Sequence, residues 1–198
     1  MWQDIVRIDQ SIKKRQFHKM DRILEACKRA KEGNGRLHLL GLVSSIFVWR
    51  PILLDRSQMQ ISDGGVHSHI RHLFALLETA KEQEVPKTFV HFFGDGRDTA
   101  PESGAGYAKE LKGFIEKEKY GEIADVTGRY YAMDRDKRWE RIKIAVDGLV
   151  RGEGEKADDP VTAIEERYKK GETDEFLKPI ILSEEGRIKG MPAFSKRS

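Results

Sequence analysis

Thr88-Phe89-Val90-His91-Phe92-Phe93 runs directly into Gly94-Asp95-Gly96-Arg97-Asp98-Thr99. A short run rich in aromatic and β-branched residues, closed by glycine and aspartate, reads as a buried strand ending in a polar loop. Before it, Ile70, Leu73, Phe74 and Leu77 recur at helical spacing; after it, Tyr107, Ala108, Leu111, Phe114 and Ile115 do the same. Further out, Met20, Ile23, Leu24 and Cys27 form a helical face that Gly33-Asn34-Gly35 stops, and Leu37 to Val43 reads as a strand. Ile123 to Thr127 is another strand, Trp139, Ile142, Val146 and Leu149 line a helix, and Ala163, Ile164 and Tyr168 suggest one more before a last strand at Pro179 to Leu182. Strands alternating with helices predict an α/β fold, a mainly parallel sheet with helices on both faces.

In such sheets ligands collect beyond the carboxyl ends of the strands. That rule selects Ser62 to His69, Gly94 to Pro101 and Gly128 to Arg138, all dense in Gly, Asp, His and Arg. In the first, Asp63-Gly64-Gly65 turns the chain towards a helix whose free N–H groups suit a phosphate or carboxylate, with His67 and His69 as added donors. A capped helix start with exposed histidines is the plainer reading. A metal site at His67, His69 and His72 is weaker, because only His69 and His72 would share a helix face and no third ligand is evident.

In the second loop, Arg97 offers a planar fork for a carboxylate or phosphate, and Asp98 could accept from a hydroxyl. An Arg–Asp pair bracing its own loop is the alternative. The third glycine of a dinucleotide fingerprint is missing, and there is no Walker loop. In the third loop, Arg129 stands at a strand end and Arg135 just before the next helix, where both could face one crevice. Arg138 and Arg141 are expected on the solvated face of that helix, and Asp134 or Asp136 as its cap. Arginines and a histidine at strand ends make an anion-holding site. Ser68 has no orienting acid, and no Asp/His cluster suggests a two-metal site, so a full catalytic centre is not legible.

Composition narrows the class. The chain has 198 residues, 35% of them charged and 38% hydrophobic, as in a water-soluble globular protein. No apolar stretch is long enough for a bilayer, and Met1-Trp2-Gln3-Asp4 has no signal-peptide character, so a cytoplasmic location is expected. The single cysteine, Cys27, rules out an internal disulfide. The net charge of +3, from 36 basic and 33 acidic residues, is small and dispersed, which argues against a nucleic-acid partner.

Three segments together carry a resemblance: SDGGVHSH at Ser62 to His69, HFFGDGRDTAPESGAGY at His91 to Tyr107, and GRYYAMDRDKRWER at Gly128 to Arg141. They resemble the cofactor-independent (2,3-bisphosphoglycerate-independent) phosphoglycerate mutases, as do the flanks QDIVRID, KRAKEGNGRLHLLGLVS and TDEFLKPI. The resemblance implies a substrate-binding insert domain, with 2-phosphoglycerate and 3-phosphoglycerate as partners and His67, Arg97, Asp98, Arg129 and Arg135 as substrate contacts. In that family a second domain carries two manganese ions and a serine that is transiently phosphorylated. Neither that serine nor the metal ligands have counterparts among these residues, so no catalytic or metal residue is expected here and the chain alone is expected to be an inactive monomer.

Two stretches depart from the family pattern. Ser45 to Ser62 separates Val43-Ser44 from Asp63, where the family runs unbroken, and Gly190 to Ser198 is an unfamiliar tail. The expected organisation is therefore one insert domain over residues 1–189, interrupted at 45–62, and a tail at 190–198. The interruption reads as translated non-coding sequence, with a lineage-specific loop as the alternative. Besides a mutase fragment, a stand-alone phosphoglycerate-binding module and a product without function of its own are the rival readings.

Overall fold

A computed structural model of the chain describes residues 4–42 and 69–189, with side chains from residue 6 onward. His67, the stretch Ser45 to Ser62 and the tail Gly190 to Ser198 lie outside the described residues. The order of elements is α1 (Asp4–Lys13), α2 (Asp21–Glu32), β1 (Arg36–Leu42), α3 (Ile70–Glu82), β2 (Lys87–Gly94), α4 (Gly104–Glu118) and β3 (Glu122–Gly128). Then follow α5 (Arg129–Ala132), α6 (Trp139–Arg151), β4 (Glu155–Lys156), α7 (Pro160–Lys169) and β5 (Ile180–Ile181). Short 3-10 turns occupy Phe17–Lys19 and Asp174–Phe176.

The sheet order is β1-β2-β3-β5-β4. β1, β2 and β3 run parallel, joined by α3 and α4 as crossovers. β5 returns antiparallel to β3, pairing Asp125 with Ile181 and Val126 with Ile180, and β4 lies parallel to β5. The α/β class and the mainly parallel sheet are as the periodicity predicts. The last strand is shorter than expected and reversed, because Pro179 and the preceding turn at Asp174–Phe176 bring the chain back across the strand ends.

The core follows the alternation of strand residues. Val90, Phe92 and Val126 meet Ile70, Leu77, Ala108, Leu111 and Ile164, placing α3, α4 and α7 against the sheet. The rings of Phe74 and Phe114 stack at 4.1 Å where α3 meets α4. A second cluster of Cys27, Ala30, Ala80 and Val85 docks α2 beside Leu37. Burying Cys27 raises its thiol pKa and leaves it as a small core residue.

The alternate residues of the same strands carry a polar chain. His91 is wholly buried, and its Nδ1 donates to Asp125 on β3. On its other side, Nε2 of His91 shares a hydrogen bond with Nδ1 of His38 on β1, at 2.9 Å. Burial, then His91 and Arg36, lower the His38 pKa to about 4. Composition gives no hint of this link. It depends on the register that sets His91 opposite Asp125.

Candidate functional site

β2 and β3 end side by side, and the loop after β2 is built around Asp95. This residue is 2% exposed, and its Oδ1 accepts from the backbone N–H of Asp98 at 3.1 Å and of Arg97 at 3.4 Å. Such bonds to the following backbone close the loop tightly. Arg129, the first residue after β3, reaches across: its Nη1 donates to Asp95 at 2.6 Å and to Asp98 at 2.7 Å. Burial works against the charged guanidinium, but the hydrogen bonds to Asp98 and Asp95 outweigh it and raise the pKa of Arg129. Among the described residues, both bonds use Nη1, and no hydrogen bond involves Nε or Nη2.

Both strands end on glycine because another segment crosses them. A Cβ on Gly94 or on Gly128 would sit 2.7 Å from the carbonyl oxygen of Asp174, inside any allowed contact. The Gly128 N–H also donates to the Leu177 carbonyl at 2.7 Å. The turn at Asp174–Phe176 thus lies in the notch between the two strand ends. Its Glu175 carboxylate faces Arg97 at 3.9 Å.

The Asp174 side chain is 1% exposed and turns the other way, to the start of α4. Its Oδ2 accepts from the Gly104 N–H at 2.7 Å and from Ser103 Oγ at 3.5 Å, while Tyr168 Oη of α7 donates to Oδ1. Burial raises the Asp174 pKa, and the bonds from Tyr168 and Gly104 oppose that shift. The Tyr168 pKa is raised by burial and by the adjoining Asp174 carboxylate.

The expected site residues divide accordingly. Arg97, Asp98 and Arg129 gather at the ends of β2 and β3. The Arg97 side chain is 60% exposed and that of Arg129 only 11%. The loop brace exists, but it is Arg129 that reaches to Asp98, while Arg97 turns to Glu175. Arg135 is exposed, in the connection between α5 and α6, and makes no ion pair among the described residues.

Three sequence expectations need correction. Arg141 is not on a solvated face: its guanidinium stacks 3.9 Å above the Tyr130 ring and pairs with Asp134 at 3.1 Å, because α5 folds back against α6. Arg138 stands at the N-cap of α6 with no side-chain cap bond. Asp134 accepts the Arg138 N–H at 2.8 Å and so braces the approach to α6 without occupying its cap position. His69, exposed in the plain reading, is 9% exposed and itself caps α3 by accepting the Arg71 N–H at 3.1 Å.

Sequence reasoning missed Asp174 and Glu175 as partners of this site. They lie in TDEFLKPI, far from the arginines along the chain, and the glycines ending both strands were the signal of a close crossing. Among the described residues, no three His, Cys, Asp or Glu side chains converge to hold a metal ion. Also among them, no helix is long and apolar enough to cross a membrane.

Known proteins are similar to this chain over most of its length. Residues 59–192 match the family model described as BPG-independent PGAM N-terminus. The 2,3-bisphosphoglycerate-independent phosphoglycerate mutase of Onchocerca volvulus is 52% identical over 191 residues, which cover 96% of this chain and 34% of that protein. The enzyme of the same name from Caenorhabditis elegans is 50% identical over 192 residues, 95% of this chain and 32% of its own. The chain therefore spans about a third of the length of these relatives. A crystal structure of Leishmania mexicana phosphoglycerate mutase at low cobalt concentration superposes with a TM-score of 0.74 at 24% identity, over 96% of this chain and 33% of that one, and shares the fold.

Proposed function

This chain belongs to the BPG-independent phosphoglycerate mutase family, and on that premise we propose that it is the part of such a mutase that grips the glycerate of the substrate. The reaction is the glycolytic interconversion of 2- and 3-phosphoglycerate, an isomerisation in which a serine outside these residues takes the phosphoryl group and returns it to the other hydroxyl. Manganese would serve that serine. The described residues offer no ligand set for it, and their own work is binding and orientation.

The observation that carries this reading is the meeting of Arg97, Asp98 and Arg129 at the ends of two adjacent parallel strands. Arg97 presents an exposed guanidinium, a fork that matches a carboxylate or phosphoryl oxygens. Arg129 neutralises Asp95 and Asp98 through Nη1, keeping Nε and Nη2 as donors towards a ligand. Asp98, oriented by Arg129, accepts from the glycerate hydroxyl. Arg135 and His67 complete the contact set. The protein works in the cytoplasm as a monomer, without nucleic-acid or membrane partners.

Calorimetric titration of the chain with 3-phosphoglycerate tests the reading. Saturable binding is expected, weakened about tenfold or more in Arg97→Ala, the loss of a charge-assisted contact of about 1.5–3 kcal/mol. No binding by the wild-type chain, or equal binding by the variant, would overturn it.

A further inference from the structure

The two arginine-bearing loops share no sequence neighbourhood, yet both are registered on one turn, at Asp174 and Glu175, which the Asp174 side chain anchors to α4. Asp174 holds the Arg97 loop at its far end, where its N–H donates to the Pro101 carbonyl at 2.8 Å and its Oδ2 accepts from Gly104 at 2.7 Å. At the near end of that loop, Gly94 and Gly96 lie against the backbone and Cβ of Asp174. On the other strand, Gly128 is pressed against the carbonyls of Glu175 and Asp174, and Arg129 follows directly. Tyr168 fixes the remaining carboxylate oxygen from α7. Building on the glycerate-binding reading, we infer that Asp174 is a positioning residue, which sets the separation of the Arg97 and Arg129 loops by clamping the start of α4 to the notch between β2 and β3.

The arrangement has a chemical consequence. The first N–H groups of a helix attract anions, and α4 begins only a few residues beyond Arg97. Asp174 satisfies that terminus from within the protein, so a ligand anion is left to the arginines. Asp174 is 1% exposed and points away from the crevice, towards α4 and Tyr168. Its influence on a ligand therefore passes through the geometry of the loops.

The test compares Asp174→Ala, Asp174→Asn and Tyr168→Phe in the full chain. Two quantities are read under conditions where circular dichroism shows a folded protein: the affinity for 3-phosphoglycerate, and the guanidinium N–H resonances of Arg129, which report its clamp on Asp95 and Asp98. Asp174→Ala is expected to lose about tenfold in affinity and to shift and broaden the Arg129 resonances. Asp174→Asn keeps an acceptor for Gly104 and should return to within about threefold of wild type. A folded Asp174→Ala variant with wild-type resonances would overturn the inference. If that variant does not fold, Tyr168→Phe decides, since unchanged resonances there overturn it equally. If the wild-type chain binds no phosphoglycerate, the proposed function falls, and the resonances alone judge the positioning role.

Discussion

His91 in the middle of β2 and Asp95 just beyond its end are both almost wholly buried, at 0% and 2% exposure, yet their surroundings answer them differently. The partners of His91 are the side chains of His38 and Asp125 on the flanking strands, fixed by sheet register, with Asp125 buried and His38 half-buried. The partners of Asp95 come from its own loop and from Arg129, and its Oδ2 has no hydrogen-bond partner among the described residues. Around the first, both ring nitrogens are paired within the sheet, and the oxygen left without a partner among the described residues, Asp125 Oδ1, is sealed there. Around the second, the exposed Arg97 remains, with the Nε and Nη2 groups of Arg129, which make no hydrogen bond among the described residues. Polarity that is matched internally serves the fold, and polarity left over at a strand end is what can meet a ligand.

The contrast can be broken most directly at Asp125. Replacing it by alanine leaves His91 buried beside no acceptor, and unfolding by denaturant should show a loss of about 3 kcal/mol. A loss no greater than at an exposed carboxylate would mean the middle chain is not matched as described. Arg129→Ala comes next. It strips the charge partner from Asp95 and Asp98 together, and about 2 kcal/mol of stability should go with most of the phosphoglycerate affinity. Full affinity in that variant would remove Arg129 from the site.

Acid sharpens the comparison. The His38 pKa is about 4 in the folded protein against an ordinary 6.5, so the unfolded chain binds more protons between those values. Stability therefore falls as pH drops from 6.5 towards 4, by on the order of 1–2 kcal/mol for this half-buried group, and the contribution is flat below 4. His38→Gln should flatten that window in melting temperature against pH, and an unchanged profile would show that another group controls it. The smallest effect on folding belongs to Arg97→Ala. With that side chain 60% exposed, stability should change by less than about 0.5 kcal/mol while binding weakens, so a large fall in stability would make Arg97 part of the frame.

Much of this was legible along the chain. The helices of Ile70, Leu73 and Leu77 and of Tyr107, Leu111 and Phe114 follow directly from periodic apolar residues, as do the strands at Leu37, Thr88 and Ile123. The carboxyl-end rule selected the loops of Arg97, Asp98 and Arg129, which do converge. Arg141 was misjudged because helical spacing says which residues share a face and not what lies opposite; the short helix α5 supplies Tyr130 there. The reversal of β5 was hidden for a related reason: two residues carry too little pattern to declare a direction.

The sequence by itself determined the fold class, the end of the sheet where charge gathers, and the family, because all three are written in local periodicity and contiguous motifs. Tertiary structure alone decided which charges are spent on one another. Arg129 is committed to Asp95 and Asp98, Arg97 is left exposed, and Asp174 reaches from beyond α7 to hold both strand ends in place. Hydrogen bonds and ion pairs act over a few ångströms of space, whatever the separation along the chain, so their pairing exists only once the strands stand in register.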